Sequence, residues 1–212
     1  MTQGDVYSHA CAGAAASEQE GSCDRERLQS PQRRMLLSRA VAAGLGLALG
    51  DAAGAAEPNS TRPQAGDIFV FVSGDNPGHV ISPSDLTAGA APVLAWPMEP
   101  ASKIVRDGSR LNQVLLLRLD EAALDDETRP HAAEGIVAYS AACTHALCPV
   151  TGWKAEERIL RCHCHNSEFD PSQGAKVVFG PAPRPLPALP LRIADGTLSA
   201  AGPFRGRVGQ PS

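Results

Sequence analysis

The sequence predicts an all-β fold, an antiparallel β-sandwich or barrel carrying a small subdomain of loops. Three observations predict it. The chain of 212 residues holds 20 glycines and 18 prolines, too many breaks for a helical bundle. Its apolar runs are short and rich in Ile, Val, Phe and Leu, as strands require. Four of the six cysteines and three of the six histidines crowd between Cys143 and His165, a density of thiols and imidazoles suited to a transition metal.

Composition excludes some functions. The net charge of -4 and the two tyrosines, two tryptophans and five phenylalanines provide neither the basic stripe nor the stacking platform that nucleic acid demands. No internal repeat is present.

The chain opens with an expected leader over residues 1–56. Residues 1–32 are rich in Ala, Gly, Ser, Gln and Glu and read as disordered. Cys11 and Cys23 lie there with no histidine at ligand spacing, and read as incidental thiols of a leader. Arg33 and Arg34 precede Met35-Leu36-Leu37 and the apolar run Ala40–Gly50, followed by Ala-rich sequence to Glu57. A charged segment, a short apolar run and small residues describe an export signal, here of the twin-arginine type. The apolar run is shorter than the roughly 20 residues that span a bilayer. Cleavage near Ala55 or Ala56 is therefore expected, with retention as a weak membrane anchor as the alternative.

Residues 57–66 contain Pro58, Pro63 and Gly66 and read as a linker. The domain proper is expected over 67–205. Strands are predicted at Asp67–Ser73, Val93–Trp96 and Gln113–Leu119, the last buried at its centre, with a turn at Asp75–Gly78. Residues 120–133 are polar with weak helical character. Ile136–Ser140 is a strand leading into the cysteine-rich region. Trp153 and Glu156–Arg158 suggest a turn between the two cysteine-rich loops, Ile159–Arg161 feeds the second loop and Lys176–Phe179 leaves it, and Leu189–Ala194 with Thr197–Ala200 forms a hairpin over Asp195-Gly196.

The chemistry lies in Cys143-Thr144-His145-Ala146-Leu147-Cys148, in Cys162-His163-Cys164-His165-Asn166-Ser167, and in the run Gly180-Pro181-Ala182-Pro183-Arg184-Pro185. Cys-x-His and Cys-x-x-His present thiolates and imidazoles from two separate loops. A zinc site usually pairs Cys-x-x-Cys with closely spaced histidines instead. A bare disulfide framework would leave His145 and His165 unexplained. A metal-free interaction module is the remaining alternative.

Over about residues 135–200 these motifs resemble the Rieske proteins of quinol-oxidising cytochrome bc complexes, with their C-T-H-x-G-C, C-x-C-H-G-S and G-P-A-P patterns. The resemblance implies one [2Fe–2S] cluster, with Cys143 and Cys162 on one iron and His145 and His165 on the other. It further implies a Cys148–Cys164 disulfide, a Rieske-like β-sandwich, and a cluster-binding subdomain over about 138–185. Gly180, Pro181, Ala182 and Pro183 match the proline loop that covers the cluster. Ser167 matches a serine that donates to a bridging sulfide. Phe169 stands where high-potential members have a tyrosine bonding a cysteine sulfur, so an intermediate potential is expected within the Rieske range of roughly -150 to +300 mV. His163, often proline in the family, reads as a solvent-facing loop residue. The chain departs from the pattern at Leu147 and Asn166, where the family has glycine, and at Ala146, often leucine.

The resemblance implies an electron-transfer subunit rather than a stand-alone enzyme. It would be periplasmic after export, and soluble or weakly anchored, with a c-type cytochrome as acceptor. The donor would be quinol at a cytochrome b subunit or, alternatively, a molybdenum oxidase whose small Rieske subunit this chain resembles (the arsenite oxidase type). An oxygenase ferredoxin is a further alternative, disfavoured by the Cys148 and Cys164 pair and by the leader.

Overall fold

The computed structural model describes residues 57–209. The expected leader, with Cys11, Cys23, Arg33, Arg34 and the apolar run 40–50, lies outside the described residues. Among the described residues no helix is long and apolar enough to cross a membrane.

Ten short strands carry the fold: β1 (Ile68–Phe71), β2 (Val93–Met98), β3 (Val114–Arg118), β4 (Ile136–Ser140), β5 (Val150–Lys154), β6 (Ile159–Cys162), β7 (Ser167–Asp170), β8 (Lys176–Phe179), β9 (Leu191–Ala194) and β10 (Thr197–Ala200). They form a six-stranded sheet in the order β4-β3-β2-β1-β10-β9 and a four-stranded meander β5-β6-β7-β8. All named pairings are antiparallel. The outer strands of the larger sheet meet through the segment before β9. Leu189 N–H donates to Ala138 O at 2.9 Å and Ser140 N–H to Pro187 O at 2.8 Å, so the sheet curls into a barrel and covers its edges.

Alternation along β3 and β4 creates two cores. Val114 and Leu116, with Ile136 and Ala138, face the barrel interior beside Phe69, Ile81 and Leu198. Leu115 and Leu117, with Val137 and Tyr139, face outward against Val150, Leu160 and Phe169 of the meander. That second layer explains why the first four residues of β3 and all five of β4 are buried. Continuing the same parity past β4 brings Ala141 and Cys143 into the second core.

Residues 120–133 form two three-residue 3-10 turns, Glu121–Ala123 and Arg129–His131, because Pro130 cannot supply a helical N–H donor. The stretch 57–66 is bonded to the barrel: Asn112 donates to Thr61 O at 2.9 Å and accepts from Arg62, and Gly66 N–H donates to Ala200 O at 2.8 Å. The predicted hairpin at Asp195-Gly196 is present. Both turn residues have positive φ, 51° and 74°, the conformation a two-residue hairpin turn requires.

Candidate metal centre

The first loop of the site is pinched shut at its base. Cys143 N–H donates to Cys148 O at 2.9 Å, Leu147 N–H to Cys143 O at 3.0 Å, and Val150 N–H to Ala141 O at 2.8 Å. These bonds turn the chain sharply and force Leu147 to φ 60°. The second loop is the hairpin between β6 and β7, where Cys162 pairs with Ser167 and Asn166 takes φ 58°. Both left-handed residues stand where the Rieske pattern has glycine, and the physical reason for that glycine is this φ.

Cys143 and Cys162 are the free cysteines among the described residues, and both are buried. Burial pushes the Cys162 thiol up, while backbone donors at Cys164 and His165 pull the other way. The neighbouring Cys143 thiol raises the pKa of Cys162 as well. Cys148 and Cys164 form a disulfide with a Cα–Cα distance of 6.4 Å, bridging the two loops. The sulfurs of Cys148, Cys162 and Cys164 lie within 4.8 Å of one another, but two of them are consumed by the disulfide and cannot serve as thiolates.

The rings of His145 and His165 meet edge to face, centroids 4.7 Å apart. His145 is half-buried and His165 exposed. His145 Nδ1 is buried without a hydrogen-bond partner, an orphan that a buried imidazole rarely tolerates without an unseen ligand. Two imidazoles in edge-to-face contact and two buried free thiols, carried on the same two loops, are the donor set of a mixed Cys2His2 iron–sulfur centre. The residues present therefore fit that group. His163 points elsewhere: a Cβ placed on Gly152 of β5 would meet its Nε2 at 2.6 Å, so its ring lies over β5.

The proline run is tied to both loops. Ala182 N–H donates to Ser167 Oγ at 3.2 Å, and the buried Thr144 hydroxyl donates to Arg184 O at 2.7 Å. Pro181 and Pro183 are exposed and Ala182 is buried. Gly180, at φ 89°, touches the second loop so closely that a Cβ would lie 2.8 Å from Asn166 O. Phe169 is buried beside Leu160, Cys143 and Cys162. Sequence reasoning missed Thr144 and Arg184. Their positions inside the two motifs were visible, but their partnership spans forty residues and has no local signal. It also missed β5 and β7, short strands whose charged residues Lys154 and Glu168 pair across the meander.

The family model for the Rieske [2Fe-2S] domain matches residues 109–190. A cytochrome bc1 complex Rieske iron-sulfur subunit of Streptomyces lividans is 34% identical over 148 residues, 68% of this chain and 85% of that protein. A protein of Haloferax mediterranei named as a respiratory nitrate reductase Rieske subunit is 38% identical over 155 residues, 72% of this chain and 66% of its own length. The soluble domain of Rieske protein II from Sulfolobus acidocaldarius superposes with a TM-score of 0.35 at 24% identity, over 45% of this chain and 66% of that one. The chain spans from 85% down to 24% of the lengths of the curated relatives. Its antiparallel β architecture and its similarity along most of one such subunit make the same statement as the loops: this chain belongs to the Rieske family, whose domain binds a [2Fe–2S] cluster.

Proposed function

We propose that this chain is the iron–sulfur subunit of a quinol–cytochrome c reductase-like complex, exported by the twin-arginine route to the periplasm. Cys143 and Cys162 would hold one iron of the cluster and His145 and His165 the other. The bound cluster supplies one-electron redox chemistry at a potential tuned by the surrounding protein. The observation that carries the reading is the Cys148–Cys164 disulfide braced across the two loops, beside buried thiols that remain free. Such a bond belongs to an oxidising compartment.

The chain's own residues define what a partner meets. Burial excludes water from the two thiols, and backbone N–H groups of Cys164 and His165 support the Cys162 sulfur. His165 reaches solvent and offers a short route to an electron partner. A c-type cytochrome is the acceptor in this reading, and quinol bound at a cytochrome b subunit the donor.

A second reading makes the chain the Rieske subunit of another respiratory oxidoreductase, such as a molybdenum oxidase. It is supported by the 38% identity to the nitrate reductase Rieske subunit and by Leu147 and Ala146 at the first loop. The test is purification of the exported protein, metal and sulfide analysis, and single-turnover reduction by a quinol with cytochrome c as acceptor. Equal iron and acid-labile sulfide with quinol-dependent reduction supports the first reading. Cluster without quinol reactivity moves the assignment to the second, and zinc without sulfide removes both.

A further inference from the structure

We propose that the C-terminal segment 205–209 is a strap that immobilises the flank of the first cluster loop, with Arg184 as its positioning residue. The proposal rests on reading 143–148 as a cluster loop.

The strap runs back along the segment that follows the proline loop. Arg205 N–H donates to Ala188 O at 2.7 Å. Gly206, at φ 95°, passes Pro187, with a Cβ position 3.9 Å from the Pro187 Cα. The Arg184 guanidinium then donates to Arg207 O at 2.6 Å and also to Gly209 O. Two donors of one planar cation on two carbonyls make a directional clamp that a lysine reproduces only as a point charge. The strap ends near Leu147: the point a Cβ on Gly209 would occupy lies 3.9 Å from Leu147 Cδ2. Gly209 is buried there.

Arg184 thus acts in two directions. Its side chain holds the strap, while its carbonyl receives the Thr144 hydroxyl from the first loop. Leu147 acquires a reason as well. A leucine at φ 60° is strained where glycine would not be, yet glycine has no side chain to set against Gly209. The Leu147 side chain stands beside the end of the strap, at the point where a Cβ on Gly209 would meet it. Cys148 follows directly and is half-buried, whereas Cys164 is exposed, so the strap restricts the motion that would open the Cys148 sulfur to attack.

The test measures two local openings in the full chain under native conditions: reduction of the Cys148–Cys164 disulfide by dithiothreitol, and hydrogen exchange of the Leu147 amide. Arg184→Gln, and separately deletion of residues 207–212, should each speed both by about tenfold, since charge-assisted bonds gating a local opening are lost. Combined, they should add little, because both break one link. Arg184→Lys should restore part of the protection, and exchange at Leu198, in the barrel core, should not change. Unaltered rates at Leu147 and the disulfide in the deletion variant overturn the strap, as does acceleration at Leu147 and Leu198 alike. Iron and sulfide content of the unaltered chain tests the cluster reading separately. Shifted rates in a chain that binds no cluster retain the strap and remove the cluster reading; normal content with unmoved rates does the reverse.

Discussion

The Cα of Ser167 lies 2.6 Å from the point a Cβ on Gly180 would occupy. The proline loop and the second cluster loop are therefore in backbone contact, and glycine is the residue that allows it. Gly180 also sits at φ 89°, which L side chains avoid. Gly180→Ala should lower stability by about 2–4 kcal/mol from overpacking and backbone strain together, with the Ala182–Ser167 bond lost. Urea unfolding measures this. A change below about 0.5 kcal/mol, the scale of an ordinary surface substitution, would show that the loops separate at little cost.

His163 and His165 are two residues apart and face different surroundings. His163 packs over Gly152, whereas His165 meets His145 edge to face. His163→Ala should keep the full iron and sulfide content, and His165→Ala should lose the cluster. Metal analysis of both proteins decides it, and the opposite pattern would reassign the ligand.

Phe169 pairs with Leu160 and Val177 in the core that includes Cys143 and Cys162. A tyrosine hydroxyl placed there to donate to a ligand sulfur withdraws electron density and favours the reduced state. A neutral hydrogen bond of about 0.5–1.5 kcal/mol corresponds to tens of millivolts for a one-electron couple. Phe169→Tyr should raise the reduction potential by that amount, and Ser167→Ala should lower it. Film voltammetry at one pH reads both; an unchanged potential in an intact Phe169→Tyr cluster would place residue 169 away from the sulfur.

His131 borders a cavity of about 540 Å³ with Tyr139, Leu189 and Arg205. Burial, and then the Arg205 charge, hold its pKa below the ordinary 6.5. The folded state thus binds this proton less readily than the unfolded state. The associated stability is complete above 6.5 and is lost as pH falls through the lowered folded value. Asp126 and Glu127 also line the cavity, with Asp126 paired to Arg129 at 3.0 Å. Arg205→Ala should move the His131 midpoint upward, though burial keeps it under 6.5. Titration of the ring protons by NMR checks the direction, and a midpoint that stays or falls would remove Arg205 as a cause.

Much of this protein was legible as sequence because the signals are local. Short apolar runs mark β1 to β4, Asp195-Gly196 marks the last hairpin, and thiols with imidazoles at close spacing mark two loops. Ligand type and spacing are properties of a few consecutive residues, so the chemistry of the site reads directly. Strands β5 and β7 escaped because neither is apolar enough to declare itself. They become strands by pairing with β6, a partner that exists only once the meander closes.

Tertiary structure decided the rest. The parity of β3 and β4 carries Cys143 into the second core, a consequence of a layer packing on the outside of a barrel. The register Cys162↔Ser167 sets the second loop, and the disulfide, the Thr144–Arg184 bond and the contact at Gly180 lock three loops that sequence presents as separate. Leu147 shows the division most plainly. Sequence marked it as a residue standing where the pattern has glycine, but only folding reveals both the left-handed backbone that made glycine suitable and the C-terminal strap that ends near its side chain. A substitution can be seen in one dimension; the segment that lies beside it comes from about sixty residues away, and distance along the chain carries no information about it.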